Sequence, residues 1–202
     1  MPLLAQKSSD SNQYYEENAQ HFFDTTIGYR IEALYDLFLP HIPSGGRILD
    51  AGCGSGRDVK YFLDQGYEVV AFDKSQQLAQ LASAYAGIPV LCASFEEVYF
   101  EELFDGIWTC ASLLHVPKAD LARIIEKLKT FLKSGGIWYL SFRYGEGESF
   151  DGGRYFNDHT EASLKELLEN AGSLEILHLS IPESLRSRRG FQFVVGVVKR
   201  VG

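Results

Sequence analysis

The chain has 202 residues, 46% of them hydrophobic and 23% charged, and carries a formal net charge of −8. That length supports one globular domain with a full core. The acidic balance removes the general attraction that draws basic proteins to nucleic acid or anionic membrane, and no run of about 18 apolar residues marks a membrane span.

In chain order, residues 1–11 are polar and are expected to fray. They lack a basic region followed by a long apolar one, so no secretory signal is expected and the chain reads as cytoplasmic. Tyr14 to Phe23 and Tyr29 to Leu39 place apolar residues three and four apart and are predicted helices, the second ended by Pro40, Pro43, Gly45 and Gly46. An alternation then begins. Strands are predicted at Arg47–Asp50, Tyr67–Phe72, Pro89–Cys92, Phe104–Ala111 and Ile137–Phe142. Between them lie helices at Gly56–Gln65, from the cap Ser75 to Tyr85, and at Ala119–Leu132, closed by Lys133, Ser134, Gly135 and Gly136. A short helix or turn fits Glu96–Phe100. Gly145, Gly147, Gly152 and Gly153 suggest a flexible lid after the fifth strand. Thr160–Asn170 is a helix. Leu174–Ile181 and Phe191–Arg200 are strands with no helix between them, which makes one of them antiparallel. The implied fold is α/β: a doubly wound, mostly parallel seven-stranded sheet with one reversed strand near an edge. Cys53, Cys92 and Cys110 are widely spaced and read as reduced residues, so neither a disulfide nor a metal site is expected.

Chemistry concentrates in Leu49–Asp58, "LDAGCGSGRD", directly after the first strand. Ligands of doubly wound sheets bind beyond the carboxyl ends of the strands. Asp73 ends the second strand 17 residues after Gly56, where an acid accepts hydrogen bonds from two ribose hydroxyls. The glycine pattern is G-x-G-x-G, with Arg57 where a dinucleotide loop has its third glycine. Asp50 before it repels phosphate and suits an ammonium group. Ribose, adenine, an ammonium and no phosphate describe S-adenosylmethionine.

The chain resembles the class I S-adenosylmethionine-dependent methyltransferases. "ILDAGCGSGRD" matches the family's first motif, "VVAFDKS" its second-strand acid, "FDGIWTCASLLHVP" the fourth strand and its loop, and "LKSGGIWYLSF" the approach to the fifth strand. Within the family it is similar to small bacterial enzymes of the tellurite-resistance and ubiquinone-biosynthesis type. The resemblance implies a helical arm or lid over residues 1–44 and a Rossmann-like methyltransferase domain over residues 45–202. It also implies roles for single residues. Asp50 would help hold the methionine ammonium. Ala51, Gly52 and Gly54 would let the methionyl part lie on the backbone. Asp73 would bind the ribose, with Lys74 beside the adenine. Ser94 and Phe95 would border the adenine, where many relatives have an acid and the nearest one here is Glu96. The Ala111 carbonyl would meet the ammonium, and Tyr14 or Tyr15 would close over the donor.

His115, in "SLLHVP", has two readings: it fixes the loop before Pro117, or it faces the transferred methyl and takes a proton from the acceptor. Arg143 and Tyr155 are expected to form one wall of the acceptor site. Arg186 and Arg189, between the last two strands, would clamp an anionic group on the acceptor. The expected activity is methyl transfer to a small molecule. A protein acceptor stays open, and nucleic acid is disfavoured. The alternative is a silent module that binds the same donor.

Overall fold

The computed structural model describes residues 11–182 and 190–202. Six helices are present among them: α1 (Asn12–Thr26), α2 (Glu32–Phe38), α3 (Arg57–Asp64), α4 (Gln76–Ala86), α5 (Lys118–Thr130) and α6 (Glu161–Asn170). The strands are β1 (Arg47–Ala51), β2 (Glu68–Asp73), β3 (Leu91–Cys92), β4 (Phe104–Thr109), β5 (Leu132–Arg143), β6 (Gly147–Asp151), β7 (Arg154–Asp158), β8 (Leu174–Ser180) and β9 (Phe193–Arg200).

Seven strands form one sheet in the order β3-β2-β1-β4-β5-β9-β8. β9 runs antiparallel to both β5 and β8, so it is the single reversed strand, next to the edge as expected. The strand order reverses at β1 and β4, and a crevice opens there beyond their carboxyl ends.

Side-chain alternation explains the double cover. Ile48, Trp108, Tyr139 and Val195 face a layer built from α2, α3 and α4. Their neighbours Leu49, Ile107, Trp138 and Val194 face the opposite layer, with α5 and α6. Each central strand is buried on both faces, which is why it reads as an unbroken apolar run. Caps set two helix starts. The Ser75 hydroxyl accepts from the Leu78 N–H at 3.2 Å. Thr160 and Ser163 form a reciprocal capping box.

Two expectations change. β5 begins at Leu132 rather than Ile137, with 133–136 bulged out where the register with β4 shifts. The glycine-rich segment after β5 is an antiparallel hairpin, β6–β7, not an open loop. Gly152 and Gly153 have φ of +57° and +82°, the two positive values that a two-residue hairpin turn demands.

Candidate active site at the glycine loop

The loop after β1 is shaped by what lies against it. The Gly52 and Cys53 N–H groups both donate to the Phe72 carbonyl, at 2.9 and 3.0 Å, tying the loop to β2. Gly52 has φ +79°, and a Cβ there would stand 2.6 Å from Ser112 Cβ. Gly56 has φ +77°, and a Cβ there would stand 2.9 Å from Ala82 Cβ, so the third glycine serves the close approach of α3 to α4. Gly54 lies beneath the Phe22 ring of α1. Burial pushes the Cys53 thiol well up, which makes it packing rather than a nucleophile.

Asp73 is held from behind. Its Oδ2 accepts from the Gly54 N–H at 2.8 Å and its Oδ1 from the Ser75 N–H at 2.9 Å. A carboxylate offers about four lone-pair sites. One on each oxygen is used, and the remaining pair is available to a ligand. Burial pushes its carboxyl above the ordinary aspartate value, opposed by those two backbone bonds. Asp50 is buried, and its Oδ2 has no hydrogen-bond partner. Burial pushes its carboxyl well up, and the neighbouring Asp58 charge adds to the effect.

Asp58 completes this floor, and its role was not foreseen. Its carboxylate receives Arg57 through Nε at 2.7 Å and a second nitrogen at 2.9 Å, the Tyr35 hydroxyl at 2.6 Å and Trp108 Nε1 at 2.8 Å. Burial alone would raise it, yet the Arg57 charge and these bonds hold it below the usual carboxylate range. Arg57 at the dinucleotide glycine position is thus consumed by its own neighbour.

Past β4 the backbone turns sharply. Ala111 has φ +53°, a left-handed conformation that L side chains rarely adopt. Its N–H donates to Ser141 Oγ at 2.9 Å, and the Ser112 hydroxyl donates to the Ala51 carbonyl at 2.7 Å. Ser94 is buried after β3, and its N–H donates to Glu97 at 3.0 Å. Glu96 instead turns toward Arg123, 4.0 Å away. Phe95 packs edge-on against Phe72 at 5.4 Å. Lys74 is exposed at the start of the following turn.

His115 is fixed through both ring nitrogens. Its Nδ1 lies 2.7 Å from the Tyr155 carbonyl, which only accepts, so Nδ1 carries the proton. Nε2 is then the acceptor and takes the Tyr15 hydroxyl at 2.7 Å. Burial lowers the imidazole to about 4, helped by repulsion from Arg154 and Arg143, so it is neutral at pH 7. Burial raises the Tyr15 phenol to about 12 against the pull of Arg154. Tyr15, not Tyr14, is therefore the α1 tyrosine facing His115. Tyr14 packs against Gly153 of the hairpin.

Of the expected acceptor wall, Arg143 is bound to Asp158 through two nitrogens at 2.7 and 2.6 Å, and it also meets Ser149. The Tyr155 side chain meets Glu148 and accepts from the Lys118 N–H at 3.1 Å. Arg186 and Arg189 lie outside the described residues. No cluster of three or more metal-ligating side chains occurs among the described residues, and no helix among them is long and apolar enough to cross a membrane.

Residues 48–136 match the model of the methyltransferase domain family. An uncharacterized methyltransferase of Staphylococcus carnosus is 25% identical over 157 residues, covering 73% of this chain and 76% of that protein. A ubiquinone biosynthesis O-methyltransferase of Chromobacterium violaceum is 33% identical over 106 residues, 48% of this chain and 44% of that protein. The chain thus aligns with less than half the length of that second relative. In fold, it is similar to the 1,6-didemethyltoxoflavin-N1-methyltransferase of Burkholderia thailandensis, solved with 1,6-didemethyltoxoflavin and S-adenosylhomocysteine. The TM-score is 0.78 at 21% identity, over 100% of this chain and 93% of that one.

Proposed function

We infer that this chain, which belongs to the class I S-adenosylmethionine-dependent methyltransferases, transfers a methyl group to a small molecule, with α1 acting as the lid and α2 part of the core. The observation that carries this reading is Asp73, pinned by two backbone N–H groups and left with one lone pair on each oxygen for a ribose diol. One further observation fits the donor: the buried, unpartnered Asp50 oxygen suits an ammonium group. A phosphate there would meet two carboxylates.

S-adenosylmethionine, when bound, supplies a methyl already activated on its sulfonium. The protein's own work is placement and water exclusion, and orientation of this kind contributes roughly 7–11 kcal/mol. Asp73 and Asp50 would hold the two ends of the donor, and the strained Ala111 turn leads into Ser112, which packs on Gly52. Phe22 and Tyr15 of α1 cover the crevice. Tyr15 and His115 hold the acceptor side: the phenol donates to the imidazole, and the imidazole is locked by the Tyr155 carbonyl. A base lowered to about 4 takes protons poorly from a neutral alcohol or amine. The arrangement therefore favours an acceptor that reaches the site already ionised or strongly acidic.

The test is to incubate the protein with methyl-labelled S-adenosylmethionine and a cell extract, then separate small molecules from macromolecules. Label is expected in the small-molecule fraction and is expected to disappear with Asp73→Ala. Label in the protein or nucleic-acid fraction would overturn the small-acceptor reading.

A further inference from the structure

Two arginines, one ending β5 and one opening β7, stand beside this site, and they differ in their partners. Arg143 is matched by Asp158 and stacked on Phe156, its guanidinium carbon 4.2 Å from the ring centroid. Arg154, the first residue of β7, forms no ion pair with any described carboxylate. Its Nε is buried without a hydrogen-bond partner. The guanidinium lies between two rings, 4.9 Å from the Tyr14 centroid and 5.1 Å from that of Phe156. The guanidinium also hydrogen-bonds the Tyr15 hydroxyl, and its charge disfavours a proton on His115. A partly buried cation beside the proposed site, with aromatic walls, a phenol neighbour and no carboxylate partner among the described residues, has a counter-charge left for a ligand to supply.

We propose that Arg154 recognises the methyl acceptor and that the acceptor is a small molecule bearing a carboxylate. This rests on the methyltransferase reading above. The planar guanidinium fork matches a planar carboxylate through two parallel hydrogen bonds. The ring slot of Tyr14 and Phe156 confines the anion to that plane. A phosphate dianion fits worse, because one unpaired arginine faces a crevice that already holds Asp50 and Asp73. The weak base at His115 agrees with this assignment, since an acceptor methylated on its carboxylate, or on an acidic group beside it, has no tightly held proton to lose.

Benzoate and its neutral isostere benzamide are the probes. Each is titrated into protein saturated with S-adenosylhomocysteine, following the Arg154 Nε–H signal by nitrogen-15 NMR, with Arg154→Gln to assign that signal. Benzoate is expected to shift it saturably at millimolar concentration and benzamide to leave it in place. In Arg154→Gln, benzoate affinity is expected to fall about tenfold or more, with affinity for S-adenosylhomocysteine within about twofold of the parent. Equal effects of the two probes, or no shift with benzoate, would overturn the assignment on the parent protein alone, whatever the variant's stability. A variant that loses S-adenosylhomocysteine affinity instead would show that Arg154 serves the donor's carboxylate, which also overturns it. Failure of the parent to bind S-adenosylhomocysteine at all would strike the methyltransferase reading beneath, a distinct result.

Discussion

Replacing Asp73 by alanine removes the carboxylate proposed to bind the donor's ribose. Its two oxygens are fixed at 2.8 and 2.9 Å from the Gly54 and Ser75 N–H groups, so the ligand-facing lone pairs are already oriented before binding. A hydrogen bond to a charged group contributes about 1.5–3 kcal/mol. Two lost together amount to roughly 3–6 kcal/mol, or about 10²–10⁴-fold in Kd for S-adenosylhomocysteine. Asp73→Asn keeps the shape but offers one acceptor oxygen, and is expected to lose about half that free energy. Calorimetric titration measures both, with thermal melting to establish that each variant is folded. The parent's affinity should also fall as pH drops through the Asp73 carboxyl, beginning above the ordinary aspartate range because burial raises it. A folded Asp73→Ala protein that binds within about threefold of the parent would refute the assignment.

Asp50→Asn is expected to raise the melting temperature while weakening S-adenosylhomocysteine binding, since it removes a buried charge that has one unpartnered oxygen. The sign follows from the raised folded-state value: the penalty is full above that value and shrinks as pH falls from it to the ordinary aspartate value, so the variant's advantage should vanish in acid. A variant less stable at neutral pH would count against this reading. Gly52→Ala should cost about 2–5 kcal/mol of stability, from a left-handed φ and a 2.6 Å contact with Ser112, read by denaturant unfolding; less than about 1 kcal/mol would contradict it. Asp58→Ala leaves Arg57 buried without its partner and should cost about 3–5 kcal/mol in the same assay, with no loss meaning that the floor network is dispensable. Nitrogen-15 NMR of His115 should show an Nδ1–H tautomer and no protonation until pH falls to about 4, and an ordinary histidine titration would refute the Tyr15–His115–Tyr155 chain.

The doubly wound sheet was legible because its signals are local. Apolar runs at β1, β2, β4 and β5 alternate with helical periods, and the short link between β8 and β9 announces the reversal. The glycine loop and Asp73 were legible for the same reason, since both sit at strand ends and carry their chemistry in sequence. The hairpin was also written there: Asp151-Gly152-Gly153-Arg154 is a two-residue turn flanked by Phe150 on one side and Tyr155 and Phe156 on the other, and an open loop was the wrong inference from those glycines. Other features were hidden because they depend on distant contacts. Tyr15 meets His115 across 100 positions, and Ser11 meets the Tyr155 backbone across 144. Sequence spacing likewise gives no way to see that Arg143 is ion-paired while Arg154 has no ion pair among the described residues, or that Asp58 gathers Tyr35 and Trp108.

The most direct test is a crystal structure of the chain with S-adenosylhomocysteine. Both ribose hydroxyls are expected on the outward lone pairs of Asp73, with the amino group between Asp50 and the Ala111 carbonyl and the methionyl chain along Gly52 and Gly54. A ribose bound away from Asp73, or the same crevice filled preferentially by a diphosphate, would contradict it.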